Sequence, residues 1–398
     1  MAITGIGVIS ALGQNTRAMS TALKSGKSAI GPLTVIPTGE LLVKIGAEVS
    51  DFDPLAHFDQ KRLALLDRCA QFALVAAREA ILASGLNFHG ELGARSAAIV
   101  GSGVGGMSTL DDNFRRLYAE GAKRFHPITI PKMMISAAVS HITMENGIKG
   151  PAFNVASACA SANHAIGIAY QMVRAGTVNV AVAGGTESVF TLGTLKAWEA
   201  MRILAFDTCR PFSRGRMGLV LGECAGMFVL ENFEHANARG AEIFGEIAGF
   251  GMSSDAGDIV LPSLDGAASA MRACLADCGM APEAFDHINA HGTGTTMNDV
   301  TESRAIRAVF GGHADRLSVS ATKSLHGHAL GAAGAIELAA TLLAMRDGFT
   351  PPTANFIERD PDCDLDYVPN VTRNAQINMA MSNSFAFGGL NAVLAVHR

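Results

Sequence analysis

The sequence predicts an α/β protein built from two similar halves, and three observations carry that prediction. Short apolar runs ending in glycine alternate with helical patterns along the chain. The composition is 49% hydrophobic and 17% charged with 43 glycines, and the mean hydropathy is +0.26, as expected for buried sheet joined by many tight turns. Two distant stretches also echo each other: VASACASANHAIGIAYQMV and VSATKSLHGHALGAAGAIELAA each pass from a strand through a polar turn into a small-residue helix, the mark of an internal duplication. A chain of 398 residues buries a large core as one double-lobed domain or two packed ones. The halves are drawn at 1–240 and 241–398.

The elements follow in order. MAITGIGVISALG is a short apolar strand broken by glycines, with no basic segment before it, so no signal peptide is read. Lys61 to Ser84 is amphipathic with a stop at Gly85, and Asn163 to Arg174 is a small-residue helix stopped by Gly176. Ser96 to Val100 and Asn179 to Ala183 read as short strands. The second half repeats the alternation, with strand Ala241 to Gly251, helix Ala267 to Cys278, strand His287 to Ala290, helix Glu302 to Phe310, strand Ser318 to Ala321, helix Ala329 to Met345, then paired strands Ile377 to Met381 and Asn391 to Val396. The stretch Ala329 to Met345 is the most apolar, yet it carries Glu337 and several glycines. It reads as a helix buried on all sides rather than a membrane span.

Bulk numbers exclude several classes. A net charge of −5 argues against a nucleic-acid binder, which needs a clustered basic face. Seven cysteines without a CxxC pair argue against a disulfide framework or structural zinc and fit a reducing cytosol. GSGVGG (Gly101 to Gly106) matches a dinucleotide fingerprint, but no second strand ending in an acid stands at the required distance. The HGH run at His326 to His328 lacks a third ligand at metal spacing. No metal and no cofactor is expected.

Cys159 is the first candidate for chemistry. It stands where an apolar strand gives way to a helix, so its thiol faces unpaired N–H groups and the positive end of the dipole, which favours thiolate. A lone cysteine is more often a small buried hydrophobe. Its weight comes from His291 in INAHGTGT, Lys323 and His328 in SATKSLHGHALGAAGA, and the loop SNSFAFGGLN, each at a strand-to-loop junction. If the halves stack pseudo-symmetrically, these turns meet at the carboxyl ends of the strands, where open α/β sheets place their sites.

This combination resembles the β-ketoacyl-acyl-carrier-protein synthases, most of all the elongating Cys-His-His branch similar to synthase II, and the motif order matches over nearly the whole chain. VAGGTES, RPFSRGRMGLVLGECAG and GFGMSSDA look like further signatures of the same family. The resemblance implies a thiolase-like fold with a five-layered α-β-α-β-α core, a homodimer, acyl carrier protein as partner, and extension of an acyl chain by two carbons from malonyl carrier protein in fatty acid biosynthesis. A polyketide-type or specialised-lipid ketosynthase is the alternative.

The implied roles are chemically coherent. Cys159 would hold the acyl group as a thioester and release it to a carbanion. His291 and His328, as neutral imidazoles, would donate to the oxygen on which charge builds as malonyl loses carbon dioxide. Lys323 would be the fixed positive charge, with Glu337 as buried partner. The backbone N–H of Phe387 would complete an oxyanion hole with that of Cys159, and its ring would gate the pocket, with Gly388 and Gly389 freeing the backbone. Thr293 and Thr295 would hold the phosphopantetheine arm, Val104 would line the deep acyl pocket, and Lys61 and Arg202 would meet the acidic carrier.

Some residues depart from the family pattern: Ser157 replaces a threonine, Ala386 and Leu390 stand where glycine and threonine are common, and Asp258 and Val260 replace a histidine and a threonine. These leave the Cys-His-His set intact and put the acyl preference in question. A degradative thiolase would need a second cysteine where Phe385 and Phe387 stand, and a non-catalytic partner subunit would lack the nucleophile.

Overall fold

The computed structural model describes all residues 1–398. Ten strands form one hydrogen-bonded sheet: β1 Ala2–Ser10, β2 Ser96–Gly101, β3 Ala152–Val155, β4 Val180–Glu187, β5 Cys224–Glu231, β6 Gly245–Ser254, β7 His287–Asn289, β8 Ser318–Ser320, β9 Met379–Ala386 and β10 Leu390–His397. The spatial order is β8-β7-β9-β10-β6-β1-β5-β4-β2-β3. Each half therefore reads third, second, fourth, fifth, first, and the two run outward from a shared seam. Within each half the first two of those pairings are parallel, while the fourth strand meets the fifth, and the fifth the first, antiparallel. The internal duplication expected from the local echo is thus written in the strand order. At the seam β1 and β6 share only Ala2↔Glu246 and Ile3↔Gly245.

Six helices make the remaining layers: α1 Arg68–Ser84, α2 Ala137–Asn146, α3 Ser161–Arg174, α4 Leu264–Cys278, α5 Thr296–Phe310 and α6 Ala333–Asp347. Three apolar clusters separate them. One lies between α1, α2 and the outer face of the first sheet half, through Phe72, Val139, Val180, Val182 and Met227. The second joins α3 and α6 between the two halves, through Ile166, Ala181, Ala183, Ile336, Leu394 and Val396. The third sits under α4 and α5, through Met271, Ile306, Ile288 and Met381. Residues 180 to 183 alternate between the first two clusters, the period-two pattern of a strand covered on both faces. The result is the five-layered, thiolase-like arrangement.

Sequence detail explains the close layers. Gly5 and Gly7 face α1, where an added Cβ would fall 2.0 Å from Ala80 O and 1.9 Å from Ala76 O. Any side chain there must push helix and strand apart, so Gly7→Val is expected to cost about 3 kcal/mol of stability, read as a lowered thermal midpoint. In α6 every residue from Ala333 to Met345 is buried, Glu337 included, as expected of the most apolar stretch of the chain. No helix is long and apolar enough to cross a membrane.

Several expected boundaries move: the strand read over Ala241 to Gly251 runs Gly245–Ser254, that over Ile377 to Met381 runs Met379–Ala386, and two helices change. The helix read over Lys61 to Ser84 is broken into Gln60–Leu63 and α1, because Asp67 leaves the helix to cap Cys69 and to accept from Thr109 N at 2.8 Å. The helix read from Glu302 begins at Thr296, so the stretch after HGTGT is helical where a loop was expected.

Candidate active site

Four turns, one from the first half and three from the second, converge at the carboxyl ends of the strands. Cys159 lies between β3 and α3, and the preceding Ala158 has φ of +48°, a left-handed conformation that costs an alanine about 1 kcal/mol or more. Ser161 holds that turn: its Oγ donates to Ala158 O at 2.7 Å and accepts from Ser157 N at 2.9 Å. His291 follows β7, and Lys323 opens a short helix after β8. His328 stands two residues beyond that helix, and its N–H donates to Val220 O at 2.7 Å. The loop after β9 carries Phe387.

The side chains meet as their sequence patterns required. His328 Nε2 is 3.1 Å from Cys159 Sγ, and the two imidazole rings lie edge to face with centroids 5.4 Å apart. A sulfur and two nitrogens of Cys159, His291 and His328 all fall within 4.8 Å of one another, fully within the protein. Behind them, Lys323 Nζ donates to His291 O at 2.7 Å, bonds Glu337 Oε1, and approaches His291 Nδ1 at 3.2 Å. An ammonium can only donate, so Nδ1 accepts and the ring hydrogen of His291 sits on Nε2. His328 Nδ1 makes no hydrogen bond, leaving Nε2 as its working nitrogen. His326 turns away to Thr322 and Gly327, so the HGH run is not a ligand pair.

Charge states follow from burial. Both imidazoles are held well below their ordinary range, first by burial and then by the Lys323 charge, so they are neutral. Burial also lifts Glu337 above the usual carboxylate range, while Lys323 pulls it back. Cys159 departs from the thiolate expectation: burial pushes it up to about 12, opposed by Lys323 and by the nearby Phe387 backbone N–H. Helix α3 begins two residues after the cysteine, and loss of water outweighs the helix end. Cys159 therefore rests as a thiol.

The sulfur lies at the foot of a cavity of about 270 Å³ that opens to the surface. Thr293 and Thr295 line it, their hydroxyls 2.9 Å apart. Arg202 and Phe387 line it too, and Phe387 stacks on Trp198 with centroids 6.2 Å apart. Gly388 and Gly389 have φ of +80° and +68°, which explains the glycine pair. Val104 and Lys61 do not line this cavity: Val104 stands in the loop after β2, with its N–H on Glu187 at 3.3 Å, and Lys61 is exposed on the short helix Gln60–Leu63. Among the departures, Asp258 caps its own turn by accepting from Val260 N and Leu261 N, and Val260 lines the cavity.

Sequence reading missed the carboxylates that frame the site. Glu302 accepts from the backbone N–H of His291 and of Gly292, both at 2.8 Å, and from Asn383 at 3.1 Å. Asp299 accepts from Gly294 N and Phe212 N. Their spacing of three on α5 puts both on one buried face. That signal is readable only when the helix is started at Thr296.

The comparisons agree with this geometry. Residues 1–236 match the family model described as "Beta-ketoacyl synthase, N-terminal domain", and residues 244–357 match its C-terminal counterpart. "Nodulation protein E" of Rhizobium sp. (strain N33) is 49% identical over 99% of this chain and 98% of its own length. The "3-oxoacyl-[acyl-carrier-protein] synthase 2" of Coxiella burnetii (strain RSA 493 / Nine Mile phase I) is 41% identical over 100% and 98%. Among solved structures, the ishigamide ketosynthase/chain length factor superposes with a TM-score of 0.94 at 36% identity, covering 100% of this chain and 98% of that one. A type II polyketide ketosynthase in complex with its acyl carrier protein superposes at 0.89 and 27% identity, with 100% and 98% covered. With the family model matched across both halves and the sulfur, two imidazoles and lysine drawn together, the chain belongs to the β-ketoacyl synthase family.

Proposed function

We propose that this protein extends a carrier-bound acyl chain by two carbons through decarboxylative Claisen condensation, with Cys159 as the acyl-holding nucleophile. The observation that carries the reading is the convergence of Cys159, His291 and His328 within 4.8 Å, backed by the Lys323–Glu337 pair. In the first half-reaction Sγ attacks the carrier thioester, its proton passing to the departing pantetheine thiol. The N–H of Phe387 supports the oxyanion. In the second, malonyl carrier protein loses carbon dioxide, and the Nε2–H groups of His291 and His328 stabilise the enolate oxygen. The enolate carbon attacks the Cys159 thioester, and the sulfur leaves as thiolate and regains one proton.

Thr293 and Thr295 suit the pantetheine arm because their hydroxyls line the cavity that leads from the surface to the sulfur. Arg202 at the cavity wall is assigned to the acidic carrier, with Lys61 as a more distant contact. Val104 is assigned to the acyl wall, and a homodimer is supported by the open edge of β3, where Ala152 and Phe153 are exposed and a second copy's identical strand could pair. For the pathway, the higher identity to proteins named nodulation protein E, 47–49%, than to those named 3-oxoacyl-[acyl-carrier-protein] synthase 2, 38–41%, favours a specialised acyl product over general fatty acid biosynthesis.

Intact-protein mass measurement after incubation with carrier-bound acyl chains of graded length tests this. An adduct confined to one length class supports a specialised synthase, and adducts across all common lengths return it to general fatty acid biosynthesis.

The histidines have their own expected result. With Cys159→Gln mimicking the acyl-enzyme, malonyl decarboxylation should continue, and loss of either His291 or His328 should slow it about a hundredfold or more. Because both imidazoles are held well below 6.5, protonation sets in only in more acid solution. Imidazole protonation should therefore take nothing from the rate between pH 8 and pH 6, where an ordinary imidazole would have cost about three-quarters of it. A fall in that window would belong to Glu337, lifted by burial to about 7.

A further inference from the structure

The glycine-rich loop GSGVGG, which mimics a phosphate cradle, has its backbone donors already taken by a carboxylate of the same chain. Glu187, at the end of β4, is fully buried. Its Oε1 accepts from Ser102 Oγ at 2.9 Å and Val104 N at 3.3 Å, and its Oε2 accepts from Gly103 N at 2.6 Å and Gly331 N at 3.0 Å. The first three donors belong to the first half of the chain and the fourth to the second, in the turn Leu330–Ala332 that follows His328.

That turn is strained. Leu330 is buried with φ of +43°, a conformation that persists only when its surroundings over-determine it. The glycines around the carboxylate are there for approach rather than for flexibility. A Cβ on Gly331 would fall 2.2 Å from Gly103 N and 2.7 Å from Glu187 Oε2, and one on Gly103 would fall 2.9 Å from that same oxygen. His328 is fixed on its near side by backbone hydrogen bonds to the segment at Val220 and Gly222. Beyond it, within three residues, the side-chain anchor is Glu187.

We propose that Glu187 is the positioning residue of the condensing site: its carboxylate ties the His328 turn to the Gly101–Gly106 loop and so holds His328 Nε2 over the Cys159 sulfur. The proposal rests on the reading of His328 as a donor in condensation. Glu187 itself does not line the cavity and touches no reacting atom. A glutamine in its place would not serve, because a carboxamide offers one oxygen and turns an N–H₂ group toward the donors that met the other.

The test is Glu187→Gln, which keeps the side-chain shape. For a folded variant, malonyl decarboxylation and condensation should fall about tenfold or more in kcat, since small misplacements of a catalytic group are costly, while KM for malonyl carrier protein stays within twofold. In a His328→Ala background the same change should cost nothing further, because the two residues act through one another. A kcat within twofold of the unaltered protein, or a full additional loss in the His328→Ala background, overturns the proposal. Crystal structures of the unaltered protein and Glu187→Gln supply a readout that needs no turnover. A lengthened Sγ–Nε2 distance supports positioning even if the condensing activity is not found, and an unchanged distance overturns it.

Discussion

Cys159→Ala is expected to give a folded protein that neither accepts an acyl group nor condenses, with the rate down by at least a thousandfold, about 4 kcal/mol of barrier. The change removes one sulfur atom from the foot of a cavity and disturbs no hydrogen bond except that to His328 Nε2. Intact mass measurement reads the first effect and product release the second. No other cysteine lines the cavity, so an adduct that persists in Cys159→Ala would move the nucleophile elsewhere and sink the assignment. The resting thiol sharpens the expectation. Because burial outweighs the nearby lysine, alkylating reagents should react slowly at neutral pH compared with an exposed thiolate, even though the carrier substrate reacts well once its carbonyl sits against the Phe387 N–H.

Lys323→Met is expected to have the next largest effect, on stability and chemistry together. Lys323 and Glu337 are both fully buried, and removing one member of such a pair costs about 3–5 kcal/mol because the other charge is stranded. Glu337→Met alone should destabilise similarly. The double change should recover much of the loss, since two apolar side chains of similar volume satisfy one another. Decarboxylation should not recover, because His291 Nδ1 then lacks the donor that sets its tautomer. Thermal midpoints of the four proteins, with decarboxylation rates alongside, check both halves of this expectation. Recovery of rate in the double variant would show that Lys323 acts only as a counter-charge.

Much of this is legible in the chain alone. The alternation of strands and helices in the second half, the echo between the halves and the convergence of Cys159, His291, Lys323 and His328 follow from local pattern, since each of these residues stands in a turn with its own recognisable neighbours. Strand Cys224–Glu231 and helix Ala137–Asn146 are not read from it. The missing parts are those that depend on partners distant in sequence. Asp67 interrupts a good helical pattern because Thr109 and Cys69 N both need its carboxylate. Glu302 and Asp299 are hidden when the helix start is placed at Glu302 rather than Thr296. Glu187 lies in plain view in VAGGTES, but its partners come from residues 102 to 104 and 331. The charge state of Cys159 cannot be read from the helix it precedes, because its desolvation is set by the whole fold.

The burial of α6 on every side has a further consequence. Glu337 is carried by the helix in the middle layer, which can open to water only when both sheet halves part, so it belongs to the slowest-exchanging part of the molecule. The charge that sets up the histidines therefore has no partially opened form in which to fail by itself. On heating, loss of catalysis and loss of global structure become a single event with a single rate, and the protein ages as an all-or-none population rather than as a gradually weakening catalyst.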